Sequence, residues 1–141
     1  MKLVVDTNVL ISGLLWGGSP NRILKWTRDG LAVLIACEST MNELKRVIHY
    51  KRFAKRLSDL KTTSPDVIVY AMNLVTFVHN PPNIPQVISE DPFDNVFLAL
   101  ASENGAHMIV SGDHHLLDYK EHNSIQILPP SLTVQVIESF L

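Results

Sequence analysis

The chain has 141 residues, a hydrophobic fraction of 46%, one cysteine and a formal net charge of −2. That length suits a single domain spanning 1–141, and the apolar content excludes a disordered chain. The lone Cys37 excludes an internal disulfide, the balanced charge excludes a globally basic nucleic-acid binder, and the apolar run Val9 to Trp16 falls far short of the ~20 residues needed to span a bilayer. With no signal-peptide pattern around Asp6, a cytoplasmic protein without a membrane partner is expected.

In chain order, Leu3-Val4-Val5 reads as a buried strand that ends on Asp6, followed by Thr7, Asn8 and a second apolar run from Val9 to Leu15. Gly17-Gly18 is a loop, and Ser19-Pro20 opens a helix that runs to about Asp29 and stops at Gly30. Leu31 to Ala36 is continuous and apolar, so a second buried strand is predicted. Ser39 or Thr40 is the expected cap of the next helix. Thr40 and Glu43 match the spacing of a capping box, which gives Glu43 a purely local role to weigh against any chemical one.

Helical spacing continues through Leu44, Val47 and Ile48, again through Phe53 and Leu57, and again after Ser64-Pro65-Asp66. Thr76 to His79 is a short strand, and Asn80 to Pro85, with three prolines, is an extended connector. Ser89 to Asn95 is an acidic loop leading into a helix whose buried face is Val96, Phe97, Leu100 and Ala101. Met108-Ile109-Val110 is another strand, closed by Ser111-Gly112-Asp113. A helical turn at Leu116-Leu117, a strand Ile125 to Leu128 and a helix Leu132 to Phe140 complete the chain. Alternating strands and helices predict a three-layer α/β/α sandwich around a mainly parallel sheet.

Asp6 and Asp113 each follow a short apolar strand, Asp94 sits at a helix entrance, and Glu43 lies near the first turn of another helix. In a parallel sheet the carboxyl ends of strands and the amino ends of the following helices share one edge. All four acids can therefore meet in one cleft. Four carboxylates in contact repel one another, and a hard cation such as Mg2+ or Mn2+ resolves that conflict with oxygen ligands. Such a site suits hydrolysis of a phosphodiester without a serine, cysteine or histidine nucleophile. Lys45, Arg46, Lys51, Arg52, Lys55, Arg56 and Lys61 gather seven of the 12 basic residues into one stretch, a candidate RNA phosphate-binding face or else a solvated helical surface.

Val5-Asp6-Thr7-Asn8-Val9-Leu10, the Glu43 helix, Asp91-Pro92-Phe93-Asp94-Asn95 and Ser111-Gly112-Asp113-His114-His115-Leu116-Leu117 together resemble a PIN-domain protein, most closely the small prokaryotic toxins of toxin–antitoxin systems. The resemblance implies a Mg2+- or Mn2+-dependent ribonuclease. Asp6, Glu43, Asp94 and Asp113 match the family's metal-binding acids, and Thr7, Asn8 and Ser111 match positions that support them by hydrogen bonding. Asp91 competes with Asp94 for its role, and Asp118 with Asp113. The resemblance further implies an RNA substrate, a small antitoxin partner and a homodimer.

Other readings compete. The same fold could serve as a catalytically silent module that binds RNA or protein, its acids being strand-end or capping residues. A phosphohydrolase with Asp6 as nucleophile would want a second Asp two residues on, where this chain has Asn8. His107, His114 and His115 match no usual zinc spacing. Trp16, Trp26 and Phe53 read as core or interface residues rather than stacking platforms, and no G-x-G-x-x-G follows the first strand.

Overall fold

The computed structural model describes all 141 residues. In chain order the elements are β1 (Lys2–Val5), α1 (Thr7–Leu15), α2 (Ser19–Arg28), β2 (Val33–Ala36), α3 (Glu38–Val47), α4 (Lys51–Asp59), α5 (Ser64–Leu74), β3 (Thr76–Phe77), α6 (Asp94–Glu103), β4 (Met108–Val110), α7 (His114–Leu117), β5 (Glu121–His122), β6 (Ile125–Leu128) and α8 (Pro130–Ser139). The strands form one six-stranded sheet in the order β3-β2-β1-β4-β6-β5. Every neighbouring pair is parallel except β5 with β6. The predicted α/β/α sandwich is the observed fold.

The alternation of side chains along each strand divides the core in two. Leu3, Val5, Leu34, Ala36, Met108 and Val110 face one layer, where they pack with residues of α1 to α5 and α8. Val4, Ile35, Ile109, Ile125 and Ile127 face the other, where α6, α7 and Ile88 cover them. Because β1, β2 and β4 are covered on both faces, Leu3–Val5, Val33–Ala36 and Met108–Val110 are unbroken apolar runs.

The order of connections positions the site. From β1 the chain builds outward to β2 and β3, then crosses back through α6 to place β4 on the other side of β1. The crevice beyond the carboxyl ends of β1 and β4 lies at this reversal, where α/β sheets bind ligands. Register sharpens the point. Val5 stands opposite Val110, and the Asp6 N–H donates to the Val110 carbonyl at 2.9 Å, so Asp6 and Ser111 leave the sheet side by side.

Several local expectations are corrected. The apolar run after Asn8 is helix α1, which begins at Thr7 with no intervening loop because Asp6 caps it from an extended conformation. The second strand starts at Val33; the amides of Leu31 and Ala32 instead bond the Trp26 carbonyl and close α2 across Gly30, whose φ is 83°. Helix α3 starts at Glu38, with Thr40 as its third residue, so Thr40 cannot cap it. Its hydroxyl turns back to accept from the Cys37 N–H at 2.9 Å. Strand β5 carries no apolar signal and went unpredicted; it is held by backbone pairing to Ile125 and Gln126 alone. No helix is long and apolar enough to cross a membrane.

Helices α1 and α2 pack closely at Gly13. A Cβ there would lie 2.8 Å from Leu24 Cδ1 and 2.9 Å from the Pro20 carbonyl oxygen. The backbone contact cannot relax by rotating a side chain. Gly13→Ala is therefore expected to destabilise the protein by about 1–3 kcal/mol of overpacking, less the ~1 kcal/mol that alanine gains in a helix. Thermal unfolding checks this; an unchanged or raised Tm would show that α2 shifts freely.

Candidate active site

Asp6 is buried and doubly anchored. Its Oδ1 accepts from the Val9 N–H at 2.9 Å, the capping bond of α1, and its Oδ2 accepts from the Ser111 hydroxyl. Ser111 Oγ in turn accepts from the Asp113 N–H at 2.9 Å. One fully buried hydroxyl thus ties the ends of β1 and β4 together and sets the loop that carries Asp113. Asp113 Oδ1 accepts from the His115 N–H at 2.9 Å, capping α7.

Asp94 arrives from the opposite layer as the first residue of α6. Its approach is fixed by Asn95, a residue that sequence reasoning used only as a marker. The fully buried Asn95 amide spends all of its polar capacity on the preceding loop: Oδ1 accepts from the N–H groups of Val87 and Ile88 at 3.1 and 2.8 Å, and Nδ2 donates to the carbonyls of Ile88 and Pro92 at 2.8 and 3.0 Å. This clamp folds the acidic loop over the helix entrance. Asp91 and Asp94 therefore stand together instead of competing, and with Asp113 they bring ligand oxygens within 4.8 Å of one another. Asp118 is elsewhere, lining a depression with Glu90, His115 and Tyr119.

Glu43 sits in the second turn of α3, too deep in the helix to cap it. Its carboxylate is held by Arg46, whose Nη2 donates to Oε1 at 2.6 Å and Nε to Oε2 at 3.2 Å. A cavity of about 60 Å3 is lined by Asp6, Thr7, Asn8, Glu43, Asp91, Asp94 and Asp113, with Val47, Phe93 and Phe97 as its apolar wall. The four sequence-predicted acids and Asp91 thus face one space. The support assigned to Thr7 and Asn8 is different from that expected. Thr7 lines the cavity without a side-chain hydrogen bond, and Asn8, at its rim, accepts from Arg52 Nη2 at 2.9 Å.

The electrostatics of this cavity are those of crowded anions. Burial pushes the Asp6 carboxyl above its usual range, against the lowering pull of Ser111 and the N–H groups of Val9 and Gly112, and Asp113 adds a further push upward. Asp94 is pushed up to about 8, first by burial, then by the adjacent Asp113 carboxylate, with Asp91 and Asp6 adding repulsion. Its Oδ2 is buried with no hydrogen-bond partner. A buried carboxylate oxygen left unpaired is costly. An all-oxygen donor set, an orphaned oxygen and raised carboxyl pKa values together fit a hard divalent cation such as Mg2+ or Mn2+. Of the three histidines, His107 accepts from the Lys2 N–H at the other end of the sheet, while His114 and His115 gather with Asp113.

Against known proteins, a family model described as a PIN domain matches residues 2–115. The chain belongs to the PIN-domain family. The matched segment runs from β1 into α7 and contains all five acids of the cavity. PIN domains are typically nucleases that use divalent metal ions. The chain is also 26% identical over 152 residues to an uncharacterized protein of Methanocaldococcus jannaschii, a similarity that covers 100% of this chain and 94% of that protein.

Two outcomes follow for this PIN domain. Because the folded-state pKa of Asp94 lies near 8 against an ordinary 3.8, the folded protein keeps a proton that the unfolded chain releases. That stability is present in full below the ordinary value and is lost as pH rises toward 8. The Tm of chelator-treated protein should fall from about pH 5 to about pH 8. Asp94→Asn should flatten that fall and raise the Tm at the upper end by about 2–4 °C for each kcal/mol relieved. A wild-type slope in the variant would show that Asp94 is not the group responsible. Asn95→Ala should cost about 2 kcal/mol or more through the four lost hydrogen bonds. Faster hydrogen exchange at Val87 and Ile88 would mark the loosened clamp, and unchanged protection there would refute it.

Proposed function

We propose that this PIN domain is a Mg2+- or Mn2+-dependent endoribonuclease that hydrolyses RNA phosphodiester bonds at the acidic cavity, and that it acts as the toxin of a toxin–antitoxin pair. The observation that carries the nuclease reading is the buried, unpaired Asp94 Oδ2 among Asp6, Asp91 and Asp113. No fold requires that arrangement for stability; it is an electrostatic cost that a bound cation removes.

In this reading Asp91, Asp94 and Asp113 hold the cation and Asp6 completes its shell. Bound there, the cation supplies charge that keeps the acids ionised, favours ionisation of water and offsets charge developing on the phosphate. The protein's own part is placement. The Ser111 hydroxyl and the Val9 N–H fix both oxygens of Asp6, and the Asn95 clamp sets Asp91 against Asp94. Glu43, entering from α3 and held by Arg46, faces the cavity with a carboxylate that can accept a hydrogen bond from the attacking water and so orient its oxygen toward phosphorus. The apolar wall of Val47, Phe93 and Phe97 limits bulk water and strengthens each of these interactions.

The toxin role, with a small antitoxin covering the cleft and a homodimer as the working assembly, rests on the resemblance of the motifs. Purified protein with Mn2+ should cleave RNA, and with chelator it should not. Asp6→Asn and Asp94→Asn should each reduce the rate at least ~100-fold, as expected when a group acting on the reacting centre is lost. Calorimetry should show Mn2+ binding to the wild type and its weakening in Asp94→Asn. Expression alone should arrest growth in wild-type form and leave it normal in Asp6→Asn form. A protein that binds RNA without metal, cleaves nothing and is indifferent to both substitutions would be a silent binding module instead.

A further inference from the structure

The basic stretch of the sequence does not fold into a uniform charged face. Three of its arginines interleave with aromatic rings in a continuous ladder along one side of the cavity. At one end Arg56 lies 5.5 Å over the Trp16 ring while its Nε donates to the Leu15 carbonyl at 2.7 Å. Trp16 packs against Phe53 at 6.3 Å between centroids, and Arg52 lies 4.8 Å over Phe53 and 5.4 Å over Tyr50. Arg46 follows, 5.5 Å over the other reach of Tyr50. The ladder is joined to the acidic cavity twice, through Arg52 on Asn8 and through Arg46 on Glu43, both of which line it.

Two properties separate this ladder from ordinary packing. Trp16 is 41% exposed and Tyr50 38%, so each remains partly open to solvent beside the guanidinium groups it carries. Arg52 and Arg56 have no carboxylate partner, so their charges are unneutralised beside a negatively charged cavity. Lys51 and Lys55, one position back on α4, extend the positive stripe and are exposed. Cations at the spacing of a helical turn with partly exposed aromatic rings between them match a phosphate backbone with unstacked bases. A duplex offers the phosphates but keeps its bases paired and out of reach.

We infer that this ladder is the strand-binding subsite for single-stranded nucleic acid, with Trp16 and Tyr50 as base-stacking platforms and Arg52 and Arg56 as phosphate contacts that lead the strand into the acidic cavity. It rests on the nuclease reading only for what happens at the cavity; binding itself needs no metal. The ladder selects unpaired strands through stacking, and Arg52, tethered at Asn8, holds the phosphate nearest the acids.

The test is fluorescence anisotropy with chelator present, using a short labelled oligouridine, its deoxy counterpart and a hairpin duplex of matching length. Trp16→Leu and Tyr50→Leu, which keep apolar bulk but remove the π-face, should each weaken single-strand binding about tenfold and leave duplex binding unchanged, whereas Trp16→Phe and Tyr50→Phe should stay near wild type. Arg52→Gln and Arg56→Gln should each reduce the slope of log affinity against log salt by about 0.7. Wild-type affinity in both leucine variants, equal losses for strand and duplex, or an unchanged salt slope would overturn the inference. So would polyglutamate displacing the oligonucleotide as well as unlabelled strand does, which would mark a protein-docking surface. Cleavage assayed separately with Mn2+ keeps the two readings apart: binding without cleavage preserves the subsite and removes the nuclease, while cleavage unaffected by the leucine variants does the reverse.

Discussion

Carboxylates brought together out of water repel one another, and a fold must spend packing and hydrogen bonding to hold them there. In this protein Asp94 is buried against Asp113 and Asp91, with Asp6 close behind, and one of its oxygens has no partner. That unrelieved crowding is the constraint on which the rest of the site turns. The Ser111 hydroxyl, lying where β1 and β4 leave the sheet in register, fixes Asp6 from one side. The four-fold Asn95 clamp fixes Asp91 and Asp94 from the other.

The two halves of the sandwich contribute different things. Asp6, Asn8 and Glu43 come from the connections built on the larger core, whereas Asp91, Asp94 and Asp113 come from those around α6 and α7. The cavity is therefore assembled only when both layers dock on the sheet. This explains why local stability and chemistry are coupled in opposite directions at Asp94. Neutralising it should steady the metal-free fold and, under the proposed function, remove a ligand in the same substitution.

Arginine also has two roles around this cavity. Arg46 holds Glu43 in a bidentate pair that satisfies a carboxylate. Arg52 and Arg56 are held by neutral acceptors, the Asn8 amide and the Leu15 carbonyl, which orient a guanidinium without cancelling its charge. The distinction turns one run of basic residues into a part whose charge is neutralised by an acid and a part whose charge is not.

Sequence alone determined the layer architecture and the sheet edge at which Asp6 stands, because both are written in short-range terms. Leu3-Val4-Val5 and Met108-Ile109-Val110 announce strands buried on both faces, and an acid placed directly after such a strand must stand at its carboxyl edge. What only the tertiary structure decided depends on register and approach across the chain. Thr40 looked like a helix cap, yet α3 starts two residues earlier, which moves Glu43 out of any capping role. Asp91 and Asp94 looked like rivals until the Asn95 clamp drew them together. Trp16 and Phe53 read alike as core or interface residues; Phe53 is buried in the core, whereas the docking of α4 on the end of α1 leaves Trp16 half open beside Arg56. Strand β5 had no apolar pattern to betray it, since its place at the sheet edge comes from backbone pairing. Local patterns specify which residues can sit at an edge; only packing fixes which of them meet, and with what charge between them.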